Sequence, residues 1–406
     1  MKFKIVMLMV VLSILFTGAD LSSAAAKKKP IKIKKAMTSV AFVGSETCMK
    51  CHHAEYQSWK ETLHSRMILT KQDGILKEAV QKWKSDGAGP GPTKANITGK
   101  DVTLDDVVYV IGSHWKQRYL VKNDATGAHQ FINRQFNSVS GKWENYGNKN
   151  DWETTCATCH ATGYKVVKYD PASHKVTKAS FTEMNIGCET CHGPGGKHVN
   201  TKSKKDIWNQ ASQPKDVQSR TCGYCHIRLE NEKFKSAQGN NAQHFPALKI
   251  GDYFKPWDDW RKWYPDGVVL PGIQPDQPFD KKYTQADFQG IFLVDDISKK
   301  NGVYEEGKHH QEYQGFIQSN HYKKNIVSCI DCHTPHAMKG KSIERSEKGN
   351  CAKCHGEQYT VEKIMPATGK TADNLYLRTH TFNKNQSRPS GKTSPLGYSP
   401  DLYYQE

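Results

Sequence analysis

The stretch Cys188-Glu-Thr-Cys191-His192 decides how this chain folds, because its pattern of a CxxC pair followed at once by a histidine occurs six times. CxxCH is the sequence to which c-type haem is attached, since the two thiols add to the haem and the histidine binds its iron. The other five copies are Cys48, Cys51 and His52; Cys156, Cys159 and His160; Cys222, Cys225 and His226; Cys329, Cys332 and His333; and Cys351, Cys354 and His355.

The cysteine count supports this interpretation over the alternatives. All 12 cysteines belong to the six motifs, and none is left over. Disulfides would not require a histidine after every pair, and zinc sites would combine two CxxC units into one set of four ligands. We therefore predict six c-type haems, each with its iron. The porphyrin faces would also supply apolar surface to a chain in which only 36% of the residues are hydrophobic.

The distal ligand of each iron must come from the histidines outside the motifs. Six of these lie in helical, turn or aromatic surroundings that suit the role, and they are the predicted distal ligands: His64, His114, His198, His321, His336 and His380. The remaining histidines are His53, His129, His174, His244, His309 and His310. Among these, His53 is the first substitute, whereas His129 and His174 lie in polar sequence and are expected to be solvated.

Spacing predicts that distal ligands serve neighbouring haems. His64 follows His52 by twelve residues, which is roughly 18 Å along a continuous helix. Two axial nitrogens of one iron are only about 4 Å apart, taking each metal–nitrogen bond as about 2 Å. His336, three residues after His333, cannot reach the opposite face of the same porphyrin, and the short Gly-Pro-Gly-Gly link before His198 is awkward for that purpose. The haems should therefore be tied together by the protein, with close packing between them.

The first residues resemble a secretory signal. Lys2 and Lys4 precede an apolar run from Ile5 to Phe16, and three alanines at 24–26 offer a cleavage site. We predict a signal peptide over 1–26, and hence a periplasmic or extracellular protein with no integral membrane segment after cleavage. A single membrane anchor is the alternative, but the apolar run is shorter than the about 20 residues that a span needs.

The net charge of +17 does not by itself indicate a nucleic-acid partner, and none is predicted. Each haem brings two propionates, so six haems would offset most of the excess. The basic linker predicted over 27–40 contains the run Lys27 to Lys35, which is either a solvated tail or a docking arm for an acidic redox partner.

Motif spacing divides the rest of the chain. We predict a haem domain over 41–230 with four motifs, a motif-free region rich in aromatics and proline over 231–328, a haem region over 329–385 with two motifs, and an extended tail over 386–406. Short strands at 118–121, 130–133 and 143–146, with 102–111 as strand or helix, indicate a small β-meander. The predicted fold is mainly α with long loops and this meander, organised around six stacked haems. The aromatics at 253–264 either cover haem faces or form a docking surface.

Four segments, 44–65, 109–119, 187–198 and 319–336, together resemble multihaem cytochromes c. They are similar to the superfamily that includes cytochrome c nitrite reductase, octahaem hydroxylamine oxidoreductase and their electron-carrier relatives. The resemblance implies distal ligation at the six positions named above and closely stacked haem pairs. The chain has no CxxCK motif, the mark of the nitrite reductases' active-site haem, and fewer than eight motifs, which places it with the electron carriers.

The expected function is electron transfer along bis-histidine haems from a periplasmic or quinol-linked donor to a terminal or extracellular acceptor. Redox proteins, such as a membrane quinol oxidase or other cytochromes, are the expected partners. One alternative is a periplasmic reductase of a small nitrogen or sulfur oxyanion, which would need a five-coordinate haem. Another is a homo-oligomer, namely the subunit of an extracellular cytochrome filament.

Overall fold

Short helices carry most of the haem motifs. The structure is a computed structural model that describes residues 41–83, 102–112, 116–123, 127–146, 152–170, 172, 175–227, 251–260, 292–294, 304–306, 310–336, 351, 354–356, 359, 361–365, 367–371 and 375–382. All of these belong to one unit, Ala36–Glu406. The predicted signal peptide, basic linker and tail lie outside the described residues, and the domain boundaries inside the unit stay predictions.

The described α-helices are α1 Ser45–Met49, α2 His53–Lys60, α3 Leu63–Arg66, α4 Lys71–Gly74, α5 Lys77–Gln81, α6 Trp152–Thr155, α7 Ala157–His160, α8 Cys188–His192, α9 Gly196–Thr201, α10 Lys215–Gly223, α11 Glu312–Gln318, α12 Asn320–Lys323, α13 Cys329–Cys332 and α14 Val361–Ile364. Even α10 has only nine residues. Isolated helices below about 12 residues are marginal in water, so these depend on tertiary contacts. Within the described segments, no helix is long and apolar enough to cross a membrane.

A five-stranded antiparallel sheet forms the largest regular element among the described residues. Its strands run in sequence order: β1 Ile68–Thr70, β2 Val107–Ile111, β3 Lys116–Lys122, β4 His129–Asn137 and β5 Lys142–Asn145. Phe136 pairs with Trp143 across the β4–β5 hairpin, and Gly141 closes the turn with φ 66°. The predicted β-meander is confirmed, and the ambiguous segment 102–111 forms strand β2 at its carboxyl end.

Because of four more strand pairs, the prediction of a mainly α fold is not clearly supported for the described part of the chain. They are β6 Ala161–Thr162 with β9 Glu183–Met184, β7 Lys165–Asp170 with β8 Lys175–Ser180, β10 Phe292–Val294 with β11 Tyr304–Glu306, and β12 Ala367–Thr371 with β13 Leu375–Arg378. Helices and antiparallel sheets therefore occur together. The physical reason is that each motif needs only about one helical turn, so much of the backbone between motifs is paired locally in hairpins.

The sheet packs on both faces. On one face, Tyr119, Ile132 and Phe136 are fully buried and contact Trp83 and Trp143. On the other face, residues of β1 to β4 pack against α6, α7 and the β7–β8 hairpin, and this cluster is Ile68, Ile111, Leu120, Phe131, Trp152, Ala157, Ala161, Tyr164, Val166 and Val176. The second CxxCH motif begins beside that cluster, so the sheet positions it.

Candidate haem-binding sites

One helical turn brings the three functional groups of a motif together. In the first motif, the carbonyl oxygen of Cys48 accepts hydrogen bonds from the backbone N–H of Cys51 (3.1 Å) and of His52 (2.9 Å). In the fourth motif, the carbonyl oxygen of Cys222 accepts hydrogen bonds from the backbone N–H of Cys225 (3.1 Å) and of His226 (3.0 Å). Residues three and four apart lie on the same face of a helix. Two thiols and an imidazole therefore face the same side, as attachment of a haem requires.

Five motif histidines each face a second histidine. The distances between ring centroids are 6.2 Å for His52–His198, 6.2 Å for His64–His226, 6.1 Å for His192–His336, 5.7 Å for His321–His355 and 6.1 Å for His333–His380. Two imidazoles on opposite faces of one iron would have centroids about 6 Å apart, taking each metal–nitrogen bond as about 2 Å. The spacing and the donor set therefore fit a bis-histidine iron between each pair.

Each of these distal candidates comes from a segment other than the one that carries its partner's motif. His64, which follows the first motif, faces His226 of the fourth. His336, which follows the fifth motif, faces His192 of the third. This arrangement agrees with the expectation that neither His64 nor His336 would face the histidine of its own motif. The helix expected to run through to His64 is interrupted after Lys60, and α3 begins at Leu63. Iron binding by these rings remains a prediction.

The remaining motif histidine is His160, of the second motif. The remaining predicted distal ligand is His114, which lies outside the described residues. The backbone oxygen of His160 accepts a hydrogen bond from Asn185 N (2.8 Å), which fixes the end of α7. Burial lowers the pKa of His160 to about 4, and the positive charge of Arg118 acts in the same direction.

Burial also keeps several facing histidines neutral. It lowers the pKa of His380 to about 4, and it lowers the pKa of His192, His321 and His336. Neutral imidazole is the form that binds a metal, because it retains a free nitrogen lone pair. At neutral pH, these four side chains are therefore in the protonation state that iron ligation needs.

Hydrogen bonds orient three of the rings. Nδ1 of His192 lies 2.9 Å from the carbonyl oxygen of Trp208, and Nδ1 of His198 lies 3.0 Å from that of Ser203. Nδ1 of His226 lies 3.2 Å from Oε2 of Glu312. A proton held on Nδ1 leaves Nε2 free for a metal, and such outer partners fix ring orientation. Burial opposes the charged form of His226, but the bond to Glu312 raises its pKa to about 9.

Two of the surplus histidines have other partners. His53 is exposed, and its Nε2 lies 3.5 Å from Nε2 of Gln57 on the same helix. His129 was expected to be solvated, and this was wrong: its side chain is only 12% exposed, and its Nδ1 lies 2.8 Å from Oε1 of Glu153. The error arose because strand β4 begins at His129, so the polar sequence before it ends sooner than expected. His174, His244 and His309 lie outside the described residues.

Cysteines of different motifs lie side by side. Hydrogen bonding between the thiols of Cys48 and Cys188 raises the pKa of Cys48 and lowers that of Cys188 to about 7. The same contact between Cys222 and Cys329 raises the pKa of Cys222 and lowers that of Cys329 to about 7. A third contact, with Cys159, raises the pKa of Cys225. The first motif therefore adjoins the third, and the fourth adjoins both the second and the fifth.

Weaker electrostatic interactions complete this order. Burial raises the pKa of Cys191 to about 12, and the nearby Cys225 adds to the shift, so the third motif adjoins the fourth. Burial raises the pKa of Cys332 to about 11, with smaller effects from Cys351 and Cys354. The fifth motif therefore adjoins the sixth. These contacts connect the attachment sites in the order first, third, fourth, fifth and sixth, with the second beside the fourth. The facing pairs add links from the first motif segment to the fourth site and from the fifth motif segment to the third.

Hydrogen bonds from residues inside the motifs hold neighbouring sites together. Thr158 of the second motif and Tyr224 of the fourth have their hydroxyl oxygens 2.6 Å apart. Glu189 of the third motif is 1% exposed, and its carboxylate accepts hydrogen bonds from the backbone N–H of Val43 (3.0 Å), Gly44 (2.8 Å) and Gly195 (2.7 Å). Sequence reasoning missed Glu189 and Glu312. The position of Glu189 between two haem cysteines was the available signal, and Glu312 carried none.

Comparisons with known proteins agree with this chemistry. The family described as cytochrome c554 and c-prime matches residues 47–97 and 114–193, less than half of the chain. Cytochrome c-554 of Nitrosomonas europaea is 24% identical over 226 residues, which are 53% of this chain and 69% of that protein. Cytochrome c-552 of Aliarcobacter butzleri is 21% identical over 229 residues, which are 50% of this chain and 40% of that protein.

Two solved structures show weaker similarity to this chain. The outer cell wall cytochrome OcwA has a TM-score of 0.45 at 20% identity, covering 76% of this chain and 58% of that one. The undecahaem cytochrome from the S-layer of Carboxydothermus ferrireducens has a TM-score of 0.41 at 19% identity, covering 89% and 50%. The chain thus spans just over half the length of the first of these and half that of the second. From its six CxxCH motifs and its cytochrome relatives, the chain is a multihaem c-type cytochrome that functions in electron transfer.

Proposed function

We propose that this chain is an exported hexahaem cytochrome that conducts electrons through bis-histidine sites, from a periplasmic or quinol-linked donor to a terminal or extracellular acceptor. The five facing histidine pairs carry the proposal. Haem, when bound, supplies one-electron chemistry at its iron. An iron with imidazole on both faces has no position for a substrate, so such a site suits conduction better than catalysis. His114 is the proposed sixth distal ligand.

The order of the attachment sites supports conduction along a series. Distal histidines cross from one motif segment to another, and this holds neighbouring sites at fixed separations. His198 links the third motif segment to the first site, and His64 links the first motif segment to the fourth site. The fourth site adjoins the second, third and fifth. The fourth site therefore has the most neighbours, and it is the proposed junction of the electron path.

The exposure of the attachment cysteines supports electron exchange at the two ends of this series. Cys51 of the first motif and Cys354 of the sixth are exposed, whereas the other ten cysteines are only partly exposed. A redox partner reaches an exposed site more closely, so the first and sixth sites are the proposed points of exchange. Redox proteins are the proposed partners. The size of the purified protein in solution would distinguish a monomer from a filament.

The alternative is a reductase of a small nitrogen or sulfur oxyanion. It would need one iron with an open face at which the substrate could bind. Low-temperature EPR of the fully oxidised protein separates the two functions. Low-spin ferric signals that account for all six haems support conduction. A high-spin signal worth one haem would contradict it and favour the reductase.

A pair of variants tests the facing rings directly. In His64→Ala, the haem held by His226 should lose its distal ligand, so one haem of six changes from low spin to high spin. In the control His53→Ala, an exposed histidine on the neighbouring helix is removed and all six haems should stay low spin. Absorbance and EPR spectra measure both. A His64→Ala protein with six unaltered low-spin haems would remove this pair from the proposal.

A further inference from the structure

The partners behind the facing histidines differ in charge. Nδ1 of His192 and of His198 contacts a backbone carbonyl oxygen, which is a neutral acceptor. Nδ1 of His226 instead contacts the carboxylate of Glu312, at 3.2 Å. A carboxylate attracts the Nδ1 proton more strongly than a carbonyl does, and this makes the imidazole a stronger donor to a metal.

Glu312 is held firmly against His226. It is the first residue of α11, and the next residue, Tyr313, donates a backbone hydrogen bond to the carbonyl oxygen of His226 (3.0 Å). Tyr313 is 2% exposed, and its ring lies so close to Gly223 that a Cβ there would come within 2.6 Å of it. The ends of α10 and α11 are therefore in close contact, which fixes the distance between the carboxylate and the imidazole.

This carboxylate also lies near a second facing pair. Glu312 interacts with His380 as well as with His226. His380 belongs to the facing pair of the fifth motif. Glu312 therefore places a carboxylate near both the fourth and the fifth sites.

We propose that Glu312 is a positioning residue that lowers the reduction potential of the haem bound by His226. A stronger imidazole donor stabilises ferric over ferrous iron, and a nearby negative charge does the same. The inference rests on the proposed function, because it requires that His226 bind a haem iron. Because His192 and His198 contact neutral carbonyl oxygens, the haem of the fourth site should be reduced after those of the third and the first sites.

Glu312→Gln tests the role, because the amide keeps the size of the side chain and an oxygen acceptor but removes the charge. In the purified holoprotein, an optical redox titration should show one of six potentials raised. The expected change is at least about tenfold in the reduction equilibrium, which is about 59 mV for one electron. Glu312→Asp retains the charge, so its potential should lie between the two. The control Glu78→Gln removes an exposed carboxylate paired with Lys82 and should leave all six potentials unchanged.

Unaltered potentials in Glu312→Gln, or an equal shift of all six, would overturn the role of Glu312. If that variant fails to retain its haems, the wild-type protein still gives a test. The haem whose spin state changes in His64→Ala should be reduced after the haem whose spin state changes in His336→Ala, because His192 has a neutral carbonyl partner. The reverse order would overturn the proposal. A haem count below six, or the absence of low-spin signals, would instead contradict the proposed function.

Discussion

The five-stranded sheet and the haem-attachment segments are stabilised by different means. The sheet has its own aromatic core, in which ring centroids lie 5.2 Å apart for Trp83–Tyr119, 5.4 Å for Trp83–Trp143 and 5.3 Å for Phe136–Trp143. The attachment segments have helices of four to nine residues, held by hydrogen bonds that cross between motifs, such as those of Glu189 and Thr158. The difference indicates that the sheet stabilises itself with side chains, whereas the attachment segments require the haem as part of their core.

The largest effect should follow from removing the haem at the fourth site, where neighbouring motifs meet. In Cys222→Ala combined with Cys225→Ala, the segments around motifs two to five lose the group between them. We expect a loss of more than one haem, and limited proteolysis that cleaves the attachment segments before residues 107–145. The pyridine haemochrome spectrum and mass spectrometry of the fragments measure these outcomes.

The matched control is the sixth site, for which the described residues show contact with the fifth. Cys351→Ala combined with Cys354→Ala should yield a protein with five haems and wild-type resistance to proteolysis elsewhere. Equal damage from both double variants would contradict the central position of the fourth site. Loss of the sheet together with the attachment segments would contradict the independence of its core.

A second prediction addresses the sheet. Phe136 is fully buried against Trp143, so Phe136→Ala leaves a cavity and should lower the free energy of unfolding by about 3–5 kcal/mol. Chemical denaturation followed by far-ultraviolet circular dichroism measures the change, and the haem absorbance should stay that of the wild type below the transition. The control Val139→Ala, at a side chain that is 51% exposed, should change stability little. A haem spectrum altered as strongly as stability would show that the two regions are one cooperative unit.

The smallest effect is expected at the buried carboxylate of the third motif. Glu189→Gln replaces a charged acceptor of three backbone N–H groups with a neutral amide that cannot accept all of them. The free energy of unfolding should fall by about 1–3 kcal/mol. Thermal unfolding followed by haem absorbance checks this, with the exposed Glu46→Gln in α1 as the control. Equal effects of the two variants would mean that the contacts between motifs one and three contribute little.

The covalent attachment residues could be read from the sequence, because CxxCH dictates its own local geometry. The meander was also predictable, since strands β3 and β4 contain the short strands expected at 118–121 and 130–133, and β5 overlaps the one expected at 143–146. The pairing of the distal histidines was not. Spacing excluded His52 as the partner of His64, but only the packing of α3 near the fourth motif brings it to His226. Glu312 was not predicted either, because its role depends on a contact between segments that are distant in sequence.

The crossing of distal histidines has a consequence for how the chain matures. His52 faces His198, and His64 faces His226, so neither pair can form until the chain extends through the third and the fourth motif, respectively. Contacts between residues far apart in sequence slow folding, because a long loop must close before they form. A haem joined to the first motif before that point would have one axial position without its final ligand. It would then pass through a high-spin state before His198 completes the proposed site.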